Sequence, residues 1–212
     1  MNTKNTTTEQ VIIPAIDIRV ATIKLVGDSP LIVHNWSPKA KKEILDKQMK
    51  KAKTKGRDAK DPVCDFIETI YWLDGEPAEK TEEGFFNAIE NGARFGFPSV
   101  AFKAAAVSAG YRSGITANKV SMNAAFHIDG ELVEIRGIPE MREDMVRVGV
   151  GTADIRYRAE FKEWSTVFPV KYNASVISLE QVANLFNLGG FACGVGEWRV
   201  EKGGQFGMFH IE

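Results

Sequence analysis

Seven glycines crowd the stretch Gly189-Gly190-Phe191-Ala192-Cys193-Gly194-Val195-Gly196-Glu197-Trp198-Arg199-Val200-Glu201-Lys202-Gly203-Gly204-Gln205-Phe206-Gly207, and no other feature constrains the fold as much. Glycine is costly to order, so this density means a backbone that turns sharply or lies against something bulky. Two readings follow. In one, successive unshielded amides around Gly194, Gly196, Gly203 and Gly204 form an anion-binding concavity, to which Arg199 and Lys202 add charge-assisted contacts and Trp198 a stacking surface. In the other, the stretch is a long hairpin that feeds a last strand over Gln205 to Ile211.

Charge points the same way. The chain of 212 residues is nearly neutral, at −1, yet Lys39, Lys41, Lys42, Lys47, Lys50, Lys51, Lys53, Lys55, Arg57 and Lys60 face only three acids between them. A local excess of this size draws polyanions, although a solvated helix face running into a flexible loop would look alike. No apolar run is long enough to span a membrane. Residues 1–10 are polar, lack the apolar core of a signal peptide and read as a disordered tail. Cys64 and Cys193 stand far apart without CxxC spacing, which suggests free thiols in a cytoplasmic protein and no metal site. The remaining length fits one domain over 11–212, with a basic loop region inserted around 39–61 and no cofactor.

Ile16 to His34 has β-branched alternation, interrupted by the turn residues Gly27-Asp28-Ser29-Pro30. Ser37-Pro38 opens a helix whose stripe of Ala40, Ile44, Leu45, Met49 and Ala52 is expected to pack while its lysines face out. Thr54 to Lys60 reads as a mobile loop, and Pro62 to Trp72 fits either a short helix or an extended segment. Ser99 is placed as the N-cap of an Ala-rich helix that Gly110 ends. Asp129-Gly130 signals a hairpin within Phe126 to Ile138. Trp164 to Ile177 alternates as a long strand, and Ser178-Leu179-Glu180-Gln181 is a capping box for a helix that stops at Gly189-Gly190.

This order is that of an α+β, ferredoxin-like (RRM-like) antiparallel sheet with helices on one face and insertions. Three segments together resemble the RAMP superfamily of CRISPR RNA-binding proteins: the first strand with Ser29-Pro30-Leu31; Phe97-Pro98-Ser99-Val100-Ala101-Phe102-Lys103-Ala104-Ala105, which is similar to the family's Pro-Gly-Ser-Ser-x-x-Lys-Gly helix start; and the glycine-rich stretch with Arg199. Arg142-Glu143-Asp144-Met145-Val146 and Phe206-Gly207-Met208-Phe209-His210 also resemble segments of a phage protein family, which would put the protein in a host cytoplasm. The resemblance implies a backbone-type subunit that grips single-stranded RNA or DNA, forms homo-oligomers along it and belongs to a larger ribonucleoprotein complex. The expected interface is Lys39, Lys42, Lys50, Lys51, Lys53, Lys55, Arg57, Lys103, Arg112, Arg142, Arg147, Arg156, Arg158 and the glycine-rich loop.

Two other functions compete with strand binding. His34, at the end of the first strand region, matches the place where processing endoribonucleases of the same superfamily carry a general acid or base. A viral module that occludes a host complex, or sequesters a small nucleotide, would use the same anion-binding loop. No P-loop, GxSxG, HExxH or zinc spacing is present.

Overall fold

The computed structural model of the chain describes residues 15–50, 59–147 and 151–212, with backbone alone at 39 and 40. In chain order the elements are β1 (Ile18–Gly27), β2 (Leu31–Val33), α1 (Pro38–Gln48), α2 (Pro62–Glu68), β3 (Tyr71–Asp74), α3 (Glu82–Glu90), β4 (Arg94–Pro98) and α4 (Ser99–Arg112). There follow α5 (Lys119–Ala125), β5 (Phe126–Ile128), β6 (Leu132–Arg136), β7 (Pro139–Arg147), β8 (Ala153–Phe161), β9 (Ser165–Asn173), α6 (Leu179–Ala192) and β10 (Phe209–Ile211).

The fold is α+β and ferredoxin-like. Its main sheet is ordered β10-β1-β9-β6-β4-β3, antiparallel throughout, with β5 also pairing β9. Within it, β1, α4, β5, β9, α6 and β10 make the ferredoxin-like unit, and β6, β4 and β3 widen it. A second sheet, β2-β8-β7, begins where the chain leaves β1 through the turn before Leu31. The turn is fixed by the Trp164 indole, which donates to the Ser29 carbonyl at 2.9 Å.

Side-chain alternation decides which sheet face is covered. On β1, Ile23 and Leu25 face α4 and α6, whereas Ile18 and Val20 lie on the open face. On β9, Thr166, Phe168, Val170 and Tyr172 are buried, as the alternation of that segment predicts. Phe102 of α4 sits at the centre, 5.6 Å from the rings of both Phe168 and Phe209. Removing such a ring costs about 3–5 kcal/mol.

Several local expectations are corrected. Asp129-Gly130 does not reverse the chain: β5 and β6 run in line along β9, with Ile128 opposite Val170 and Ile135 opposite Thr166. The intervening residues bulge out instead, anchored by the Ser99 hydroxyl on Gly130 O (2.5 Å) and the Ser99 amide on Glu131 O (2.9 Å). Ser99 is therefore tied to this bulge and does not cap α4, which has no side-chain N-cap bond and runs past Gly110 to Arg112. The Ser178–Gln181 capping box is formed, but α6 continues through Gly189-Gly190 to Ala192. Those two glycines permit close approach. A Cβ on Gly189 would lie 2.7 Å from the Ala106 amide nitrogen of α4, and one on Gly190 only 1.8 Å from the Phe209 carbonyl oxygen.

The last strand is shortened to three residues, because Gly207 and Met208 donate to Pro30 O and Ser29 Oγ of the β1–β2 turn. Pro62 to Trp72 resolves into α2 and the start of β3. The apolar stripe expected to pack on α1 is left open, with Ile44, Leu45 and Met49 exposed. Most of the loop expected at Thr54 to Lys60 lies outside the described residues.

Candidate functional site

Between Cys193 and Gly207 the chain folds into a tied loop. Its amides serve the loop and the neighbouring strand β2: Val195 donates to Gly207 O, Glu197 to Ile32 O, Glu201 to Cys193 O, Gly204 to Arg199 O and Phe206 to Trp198 O. Most of the loop's backbone donors are thereby engaged, which corrects the expected row of unshielded amides. Gly196 carries the join to β2, since at φ 80° its Cα comes so close that a Cβ would lie 2.5 Å from Ile32 O. Trp198 is held at φ 52°, a conformation unfavourable for a bulky residue. Gly204 packs directly on its carbonyl, and the residue remains 43% exposed.

This loop, the end of β2 and the middle of α4 enclose a cleft of about 260 Å³. Ala101, Ala104 and Ala105 leave its helical wall free of long side chains, while His34, Tyr71, Ser108, Glu197 and Arg199 supply polar groups. His34 is half-buried. The Arg158 guanidinium donates from Nε to its Nδ1 at 3.4 Å, so the neutral ring carries its proton on Nε2. Burial first, and then the Arg158 charge, lower the His34 pKa from the usual imidazole value. Burial and the Glu197 charge raise that of Tyr71, whose hydroxyl donates to the His34 carbonyl at 3.4 Å.

The arginines expected at the interface divide into three groups. Arg142 and Arg158 are committed within the second sheet. Asp144 receives Arg142 Nε at 2.9 Å and Arg158 at 2.8 Å, and Glu160 receives the other branch of Arg142 at 2.8 Å. Arg142 also lies 4.7 Å over the Phe206 ring, which joins this sheet to the glycine-rich loop. Nearer the loop, Arg199 donates to Gly196 O and Glu201, Arg112 reaches the same Glu201 at 2.7 Å, and Lys202 is exposed. The hydrogen bonds and charges of both arginines outweigh burial and lower the Glu201 pKa. Gly194 and Gly203 are in the left-handed region at φ 66° and 82°.

Arg147 and Arg156 lie on the β7–β8 hairpin, Arg156 being 3.9 Å from Asp154. Lys103 donates to Asn123 O at 2.7 Å and sits 5.7 Å over the Phe126 ring, and burial lowers its pKa. Lys42 and Lys50 are exposed. Lys51, Lys53, Lys55 and Arg57 lie outside the described residues, as does the side chain of Lys39.

The structure thus gathers His34, Gly194, Gly196 and Arg199 around one cleft and adds Tyr71, Ser108 and Glu197, which sequence reasoning missed. Glu197 is adjacent to Trp198 and was legible as a neighbour. Tyr71 gave no signal, since its segment fitted two structures. Exposed Trp36 follows His34 by two residues. Among the described residues no cluster of His, Cys, Asp and Glu is arranged to hold a metal ion, and no helix is long and apolar enough to cross a membrane.

No family model matches the chain, and no curated protein matches it. Among solved structures, the chain is similar to the crystal structure of Cmr6 from Pyrococcus furiosus, with 9% identity, 93% of this chain and 100% of that chain covered, and a TM-score of 0.44.

Proposed function

We propose that the protein binds single-stranded nucleic acid without cleaving it. The strand's phosphates would meet the exposed Lys42 and Lys50, at and just beyond α1, and Lys202 with the Arg112 and Arg199 that share Glu201. The observation that carries this reading is the convergence of three distant segments, the β2–α1 connection, α4 and the glycine-rich loop, on one cleft, with two exposed tryptophans, Trp36 and Trp198, within two residues in sequence of its lining residues His34, Glu197 and Arg199. Exposed aromatic faces stack bases at about 1–3 kcal/mol each, and each neutralised phosphate releases counterion. Copies bound side by side on one strand, within a larger ribonucleoprotein assembly, extend the same reading.

Fluorescence anisotropy against labelled RNA and DNA strands of increasing length, at two salt concentrations, tests it. Affinity is expected to rise with length and fall with salt. Arg199→Ala combined with Lys202→Ala should weaken binding and flatten the log–log salt slope by about 1.4, and Trp198→Ala should cost roughly fivefold or more. A flat signal on every strand sinks the proposal. As the general base that takes the proton of a 2′-hydroxyl, His34 would need a bare ring nitrogen facing the substrate. With Nδ1 occupied by Arg158, the neutral ring offers a donor there instead. RNA cleavage by the wild-type protein, lost in His34→Ala, would reverse this preference.

A further inference from the structure

We infer that the cleft beside Glu197 is a base pocket selective for guanine, which gives a strand binder of otherwise low discrimination one sequence-specific contact; the inference rests on the strand-binding reading above.

The charge inside the cleft is the starting point. A surface that only tracked phosphates would carry cations alone, yet beside Arg199 this cleft is lined by two acidic residues, Glu197 and Glu201. The two differ in what they already hold. Glu201 is engaged by Arg112 and Arg199. Among the described residues Glu197 has no hydrogen bond or ion pair from its side chain, and its charge acts on His34 and Tyr71, both lining residues. A carboxylate repels phosphate and accepts hydrogen bonds only, so the group that enters beside it must be a donor.

The neighbouring groups narrow the choice of donor. His34 presents Nε2–H, because Arg158 holds Nδ1, and Ser108 contributes a hydroxyl. The cleft therefore offers a two-oxygen acceptor with donors nearby. Guanine alone among the bases has two adjacent donors, N1–H and N2–H, followed by the O6 acceptor, and a carboxylate can take both donors at once. Adenine and cytosine have a single donor group beside an acceptor. Uracil and thymine place carbonyls on both sides of their one N–H, and these would face the carboxylate.

Size and surface agree. The volume of about 260 Å³ is below the roughly 300–1,000 Å³ of pockets for drug-sized ligands, which suits one base. The alanine wall of α4 with Ile32 and Phe97 provides apolar contact for the faces of a flat ring.

Guanine could enter as part of a strand or as a free nucleotide, and the experiment separates the two. Anisotropy is measured on short uridine strands carrying one central guanosine, adenosine, cytidine or uridine, with guanosine monophosphate as competitor and as a ligand alone by calorimetry. The guanosine strand is expected to bind roughly tenfold to a hundredfold tighter than the all-uridine strand, the range of one good bidentate base contact. Glu197→Gln, isosteric but without the paired acceptor, should shrink that ratio to within about threefold. Equal affinity for the four strands overturns the guanine pocket and leaves strand binding standing, and an undiminished ratio in Glu197→Gln overturns it too. Tight binding of guanosine monophosphate with no gain from a strand supports the pocket and removes the strand reading. No binding of any strand or of the nucleotide overturns both.

Discussion

The Gly190→Ala protein is expected to lose on the order of 3 kcal/mol of stability or more, and so to melt about 6–12 °C below the wild type. The new methyl would sit 1.8 Å from the Phe209 carbonyl oxygen and 2.8 Å from its ring. Neither backbone can yield cheaply. One residue earlier, α6 rests on the α4 backbone at Ala106, and β10 is paired to β1 through Phe209, His210 and Ile211. Relief would require α6 to lift from the sheet, uncovering Phe186 and Phe209, both essentially fully buried. Alanine's better helix propensity returns only about 1 kcal/mol, so the clash wins. Gly92→Ala is the comparison: no atom lies within 4 Å of its added methyl, and only the positive φ of 79° counts against it, for about 1 kcal/mol. Thermal unfolding of the two variants checks the argument. A Gly190→Ala protein as stable as Gly92→Ala would refute it.

Asp144→Ala should be comparably damaging, at about 3–5 kcal/mol. Asp144 and Arg158 are 8% and 5% exposed, and removing the carboxylate leaves the Arg158 guanidinium buried without its ion partner. Arg142 keeps Glu160 and the Phe206 ring, so the greater cost falls on Arg158. The same group gives the stability a pH dependence. Burial by itself would raise the Asp144 pKa, but the hydrogen bonds and charges of Arg142 and Arg158 lower it below the ordinary carboxylate value. A depressed folded-state pKa contributes stability above the unfolded value, lost as pH falls through the folded one. Urea denaturation of the wild type should therefore show declining stability on acidification below about pH 4, and Asp144→Ala should be less stable at neutral pH with a shallower acid slope. Equal stabilities at pH 7 would show that the ion cluster contributes nothing.

Local signals in the sequence are reliable where one residue type has one common use. The Ser178–Gln181 box capped a helix and the alternation of β9 named its buried face, because both depend on neighbours within a few positions. Glycine misleads where it has two uses. Gly189-Gly190 looks like a helix end, and only the position of Ala106 and Phe209 shows that it is a contact surface. Asp129-Gly130 likewise has the composition of a hairpin, but β9 takes both flanking segments as neighbours and the turn becomes a bulge. At the site, the glycine-rich loop and His34 were legible because they stand out in the chain. Tyr71 and Ser108 were not, since they acquire meaning only when β3 and α4 meet the loop. Arg142 and Arg158 are expected at the interface for the same reason, their acidic partners being chosen by strand register.

The pairing of β1 with β10 has a kinetic consequence. Its flanking contact, His210 with Asp28, joins positions 182 apart in sequence. Loop-closure entropy must be spent before so distant a pairing returns any energy, which slows folding relative to a protein built on neighbouring contacts. Until β10 docks, Phe102 and Trp164 lack their Phe209 partner, and the Leu25–Gly27 edge of β1 stands open to other strands. The interval before that closure is when the chain is most exposed to self-association, and it lengthens with any change that delays the seating of α6.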